Sequence, residues 1–289
     1  MKKIKNLGAA LLYIAIFIAE QFAVVTVFEL GVVLSKLGDI RAAGGAGFDL
    51  VADAVTKSVN ENVVLLTIIS DVLFVLTVFL IFSIRKKSFF KEVGFLKADP
   101  RFILPVIALG ASFNIISWFV CTSLPFPDSW WEVYNETASY DLTDTATIIA
   151  AVIIGPIAEE LLVRGLVFTR VSRGFGVYVG AVVSSVIFGL MHGTIIWILY
   201  TTFVGLLLSF VFVRSRSLIY PMLCHLSFNL ISVFLPNEIP IAWIVVSFVV
   251  CAASVACLIF FSRKTAPSPV KASAPAQNGT DTDGEKKDD

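Results

Sequence analysis

Charge is scarce in this chain of 289 residues: Asp, Glu, Lys and Arg make up 15%, against 57% hydrophobic residues, and the formal net charge is zero. With no basic excess to neutralise phosphates, nothing points to a nucleic-acid partner. Cysteine is equally sparse. Cys121, Cys224, Cys251 and Cys257 all fall in apolar segments, where a free thiol behaves as a small hydrophobe. A disulfide framework and a cysteine metal cluster are not expected; Cys224 is notable only as the neighbour of His225. No internal repeat is visible, which counts against an inverted-repeat transporter. Histidine is the rarest chemistry-bearing residue, with His192 and His225 alone in the chain.

What the chain has in abundance is long apolar sequence. A bilayer span needs about 20 predominantly apolar residues, with every backbone polar group satisfied inside its own helix. Eight segments qualify, roughly 7–34, 63–84, 102–124, 146–168, 177–193, 196–213, 218–235 and 240–262. The expected fold class is therefore all-α, a polytopic bundle of about eight transmembrane helices with a membrane-embedded cavity. The fifth and sixth segments are separated only around His192-Gly193-Thr194; fused, they would make seven.

Charge distribution favours eight, because cytoplasmic connections carry excess Lys and Arg. Lys2, Lys3 and Lys5 precede the first segment; Arg85, Lys86, Lys87, Lys91, Lys97 and Arg101 occupy the second connection. Arg170 and Arg173, then Arg214 and Arg216, then Arg263 and Lys264 follow at every second connection. The 125–145 connection has no Lys or Arg but carries Asp128, Glu132, Glu136, Asp141 and Asp144. This pattern puts both termini in the cytoplasm, in an integral protein of the plasma membrane. Lys36, Arg41 and Lys57 fall on the opposite side, balanced by Asp39, Asp49, Asp53 and Glu61.

The first apolar run, about 28 residues, exceeds a signal-peptide h-region and reads as an uncleaved span. Residues 1–262 form the membrane domain, and 263–289, rich in Pro, Ala, Ser and charge, a disordered cytoplasmic tail. Phe89, Phe90, Val93, Phe95 and Leu96, set among lysines, are expected to lie on the inner leaflet. Trp130, Trp131, Tyr134 and Tyr140 suit an interfacial aromatic belt, or else line a substrate entrance.

An ionisable side chain inside a span costs about 2.5–3.5 kcal/mol on insertion scales and is by default a functional-site hypothesis. The fourth segment holds Gly155-Pro156 followed by Glu159, Glu160 and Arg164. Proline removes a helix hydrogen bond and opens space beside the carboxylates. Glu160 and Arg164, four apart, share a face and can pair. Glu159 points about 100° away and is left free to act. Phe188 lies one turn before His192, with Gly189 and Gly193 allowing close helix approach. His225 and Asn229 again stand four apart, with Pro221 one turn earlier. Glu20, Glu29, Asp71 and Asn114 have no motif around them.

Counted from the inner ends of their segments, Glu159 and His225 lie roughly 11–14 Å deep and His192 about 23 Å. The three become level if the fifth span starts late, near Gly180, with 170–179 at or below the inner interface.

The Glu-Glu-x-x-x-Arg of 159–164, the Phe-x-x-x-His of 188–192 and the His-x-x-x-Asn of 225–229 resemble, in order and spacing, the three motifs of the CPBP family. That family comprises CAAX-type and bacteriocin-processing intramembrane endopeptidases, also called Abi proteases. The resemblance covers about 146–235 and implies a cytosol-accessible cavity within the bundle, acting on a peptide or membrane-associated protein. Peptide hydrolysis needs an activated water, oxyanion stabilisation and a proton for the leaving amine. Glu159 would be the base, His192 would orient water or donate the proton, and His225 and Asn229 would stabilise the oxyanion. The family is often labelled metalloprotease, so a zinc ion on Glu159, His192 and His225 is the rival arrangement; no HExxH helix is present. Two other classes compete: a non-catalytic scaffold or immunity protein in which Glu160 with Arg164 and His225 with Asn229 only join helices, and a proton-coupled transporter.

Overall fold

A computed structural model describes residues 2–39, 47–137, 144–236 and 238–263. Among them the chain is all-α, with no strand. The elements are α1 (Lys2–Ser35), α2 (Gly47–Ile84), a short α3 (Phe89–Val93), α4 (Ile103–Ser123) and α5 (Asp128–Thr137). There follow α6 (Thr145–Phe175), α7 (Val177–Leu190), α8 (Ile195–Ser215), α9 (Ile219–Ser232) and α10 (Ile241–Ser262).

All eight apolar segments are helices, and the fifth and sixth are separate. Gly193 makes the break, its φ of 82° being a conformation open to glycine at little cost. Thr194 then caps α8 by accepting the Trp197 N–H. Gly189 alone makes the close approach expected of the pair: a Cβ there would lie 2.1 Å from the Thr202 hydroxyl of α8. Among the described residues six helices are long and apolar enough to cross a bilayer; α7 and α9, with 14 residues each, are shorter. The protein is an all-α polytopic membrane protein.

The fourth segment departs most from expectation. It does not end near 168 but continues as helix to Phe175, so Arg170 and Arg173 lie in α6 rather than in a connection. Arg170 is buried, its guanidinium stacked 5.0 Å from the Tyr13 ring and 5.7 Å from the Phe82 ring, with Nη1 donating to the Gly165 carbonyl. Aromatic faces and backbone oxygens here do for a charge what water does at a helix end.

Three of the polar residues without motifs, Glu20, Asp71 and Asn114, join helices. Gln21 donates to Asp71 at 3.0 Å and Thr77 to Glu20 at 2.5 Å, tying α1 to α2. Asn114 of α4 donates to Ser232 of α9 at 2.9 Å. The 89–99 stretch does not simply lie flat. Phe90 is exposed, but Val93 is fully buried, and the Gly94 and Leu96 carbonyls accept from Leu218 N–H and the Ser217 hydroxyl. It packs beneath the start of α9, where Tyr220 also donates to the Asp99 carbonyl. Tyr140 and Arg41, and the tail from residue 264 onward, lie outside the described residues.

Candidate active site

The site is built on a helix that twice leaves the α geometry. Residues Ala150–Ile154 and Leu161–Phe168 are π-helical, and Gly155–Glu160 between them is α-helical. Such wide turns recur at functional sites. The first has an identifiable cause in Pro156. Within it the Gly155 N–H bonds back to the Ala150 carbonyl, and the next bond in that register would run from residue 156 to the Ala151 carbonyl. Proline has no N–H to give. The Asn229 amide donates to Ala151 instead, at 2.8 Å. One Asn229 N–H is thus committed to the backbone, and the second remains available for chemistry.

Glu160 and Arg164 are wholly buried and paired at 2.6 Å, as their i, i+4 spacing requires. The pair is not isolated. Arg164 Nη2 donates to the Gly205 carbonyl of α8 at 2.9 Å, and its guanidinium stacks 4.8 Å from the Phe188 ring. The same Glu160 Oε1 that holds Arg164 lies 3.1 Å from His225 Nδ1. A carboxylate already holding a guanidinium can only accept, so His225 Nδ1 carries the hydrogen. Its Nε2 then faces Glu159, 3.7 Å from Oε2. That gap exceeds a direct hydrogen bond and is a distance at which a bridging water is to be considered.

His192 lies just beyond the end of α7. Its Nδ1 is 2.8 Å from the Phe188 carbonyl, an acceptor, so this ring also protonates Nδ1 and presents a free Nε2. The Phe188 ring meets His192 edge-on at 4.8 Å and His225 at 5.5 Å. One aromatic side chain therefore spaces the two histidines and covers Arg164 as well. Glu159, with a quarter of its side chain exposed, is the accessible carboxylate of the adjacent pair; Glu160 is closed off.

The fifth helix does not start near Gly180. α7 begins at Val177, and Gly180 lies inside it, where a Cβ would strike the Ser172 side chain of α6. The levels agree for another reason. Glu159 precedes Phe175 by sixteen residues and His192 follows Val177 by fifteen, each ~22–24 Å at the helical rise. It is α9 that starts deep, with His225 only six residues, ~9 Å, from Ile219. The 89–99 stretch occupies the space below it.

Three further groups bear on the site: Trp197 carries no sequence signal of its own, Tyr134 is marked by the sequence only as an interfacial or entrance aromatic, and Asp71 only as a polar residue without a motif. Trp197 of α8 packs 6.4 Å from His192, and Tyr134 of α5 meets Trp197 edge-on at 5.4 Å. Asp71 of α2 is buried, with Oδ2 3.9 Å from where a Cβ on Gly155 would sit, one turn before Glu159. A carboxylate in an apolar segment could have been flagged as a partner of the fourth helix, but nothing in its neighbours specifies which helix it meets. All four cysteines are free, and Cys224 is buried.

For a metal, the donor set does not converge. Among the described residues no three His, Cys, Asp or Glu side chains are placed to hold an ion. The rival set of Glu159, His192 and His225 does not form a cage here.

Comparison with known proteins agrees with the motif reading. Residues 141–231 match the family model described as type II CAAX prenyl endopeptidase Rce1-like. The chain is 31% identical over 91 residues to the Bacillus subtilis (strain 168) protein named "Putative membrane peptidase YdiL", covering 32% of this chain and 37% of that one. The matched stretch thus spans little more than a third of that relative. No solved structure matches. The stretch matched by the family model, about a third of this chain, holds all three motifs, on α6, at the end of α7 and on α9, and over that stretch the chain is similar to the family.

Proposed function

We propose that the protein is an intramembrane endopeptidase that hydrolyses a peptide bond in a membrane-associated peptide or protein. The observation that carries this reading is the orientation of His225. A wholly buried Arg164–Glu160 pair fixes its Nδ1–H, so that Nε2 stands 3.7 Å from the accessible Glu159. Buried ion pairs add little net stability, because desolvation offsets their attraction. Spending one to orient an imidazole toward a carboxylate makes sense in a site that moves protons.

In this mechanism Glu159 takes a proton from a water held between it and His225, and the water attacks the scissile carbonyl. The developing oxyanion is met by the second Asn229 N–H or by His225 once protonated. The proton taken by Glu159 then goes to the leaving amine, with His192 Nε2, which is free to accept it, passing it on. The site residues are then Glu159, His192, His225 and Asn229, with Glu160 and Arg164 as positioning residues. We place the protein in the plasma membrane with both termini cytoplasmic.

The test is cleavage of a peptide library by the purified protein in detergent, beside folded Glu159→Ala and His225→Ala variants. The mechanism predicts cleavage by the wild type and loss in both variants. Cleavage surviving both substitutions would sink the proposed site. No cleavage of any peptide would favour the scaffold reading, and proton flux in proteoliposomes would favour the transporter. Metal content is measured on the same sample; stoichiometric zinc lost on His225→Ala would replace the glutamate-water mechanism with the metal one.

A further inference from the structure

The two ends of the bundle differ as routes to this site. Between Glu159 and the Lys- and Arg-rich end, every residue from Leu161 to Phe168 is buried, as are Thr169, Arg170, Val171 and Ser172. Along α6 that side is packed against its neighbours. Toward the other end the cover is thin. His192 stands in the four-residue connection after α7, and Asn229 lies three residues before α9 ends at Ser232. Gly193 is exposed, and His192 and Asn229 are half-buried.

What stands beside that end is α5, an amphipathic helix too short and polar to span. Its Trp131 and Tyr134 meet edge-on at 5.5 Å, Tyr134 meets Trp197 at 5.4 Å, and Trp197 lies 6.4 Å from His192. A continuous row of half-buried ring edges thus runs from the surface of α5 to one of the site histidines. Asp128 and Glu132 lie exposed on the same helix, and the 124–144 connection contains neither Lys nor Arg.

We propose that substrate reaches Glu159 from the end of the bundle carrying α5, and that Tyr134 and Trp197 take a bulky apolar side chain beside the scissile bond. This rests on the peptidase reading and adds to it a direction of entry and a substrate class: a segment with a large apolar residue and no net negative charge. Apolar side chains fit because ring edges and faces offer contact area without a charge to pair. Acidic segments are disfavoured by the carboxylates at the rim.

The test is photocrosslinking in sealed proteoliposomes, using a membrane-impermeant peptide of basic residues around one benzoylphenylalanine. Wild type and Glu159→Gln are compared, and orientation is scored with an impermeant maleimide on Asp128→Cys against unsubstituted protein. The expected adducts map to 124–137 or 191–200, only in vesicles with residue 128 facing the peptide. Tyr134→Ala should lower adduct yield about tenfold, Tyr134→Phe should restore it, and an acidic peptide should crosslink poorly. Adducts at 85–101 or 214–218, or only in the reverse orientation, would overturn the proposal, as would a yield indifferent to Tyr134→Ala. Because crosslinking needs no turnover, adducts at α5 without any cleavage would sink the peptidase reading and leave the entry route standing.

Discussion

The two halves of α6 have the same kind of sequence and opposite character. Before Glu160 the helix is half open: Ala151 and Ile153 are exposed, Glu159 is partly so, and the first π turn borrows a hydrogen from Asn229. From Glu160 to Ser172 it is closed, with two arginines sealed inside. One half presents reactive groups and the other holds them still. The boundary falls between two adjacent glutamates, and their 100° offset is what lets one helix do both tasks.

The largest effect expected from testing this division is on turnover. Glu159→Gln should lower the rate of peptide cleavage by about 10²–10⁴-fold, the usual share of a general base. Its thermal midpoint should stay near that of the wild type, since the side chain is partly exposed and its contact with His225 of α9, at 3.7 Å, is longer than a direct hydrogen bond. A comparable loss of stability would move Glu159 to the structural half.

Next in size is the closed half. Arg164→Ala leaves Glu160 buried without its counter-ion and should cost about 3–5 kcal/mol, read as a fall in the unfolding midpoint in detergent. A smaller effect belongs to the π turn. Asn229→Ala abandons the Ala151 carbonyl and should cost about 1–3 kcal/mol. In a Pro156→Ala background, where residue 156 regains its N–H, the same substitution should cost less. Equal costs in the two backgrounds would mean that Asn229 is not standing in for the missing proline hydrogen.

The smallest effect is at the entrance to α6. Asp144 caps the helix by accepting the Thr147 N–H at 2.8 Å and the Thr147 hydroxyl at 2.9 Å, which hold its carboxyl below the usual carboxylate range. A depressed folded value means the cap stabilises at neutral pH, above the unfolded pKa, and is lost as pH falls through the folded one. Hydrogen exchange at the Thr147 amide should quicken in Asp144→Ala at neutral pH, and the difference from wild type should vanish in acid.

Much of this arrangement was legible in the sequence because its signals are local. Apolar length gave the eight helices, the i, i+4 rule gave Glu160 with Arg164, and two histidines in three spaced motifs gave the resemblance that the family model repeats over 141–231. Orientation by neighbours was harder to read. The end of α6 was misplaced because Arg170 and Arg173 look like the solvated end of a span; Arg170 is in fact satisfied by Tyr13, Phe82 and backbone carbonyls. That error propagated to the level of His192. Glu160 was identified as a structural partner of Arg164, but its hold on His225 depends on how α9 sits against α6. The same is true of Asn229 on Ala151 and of Tyr134 on Trp197. Those contacts join residues 60 to 80 positions apart, and no spacing rule reaches that far.

The central claim is that the closed half of α6 exists to aim His225 at Glu159. Replacing Glu160 and Arg164 together by methionine removes both buried charges at similar volume, and stability should be largely kept. Peptide turnover by this folded double variant is the most direct measurement. The account predicts a loss of at least about 100-fold; a folded double variant that cleaves as fast as the wild type would contradict it.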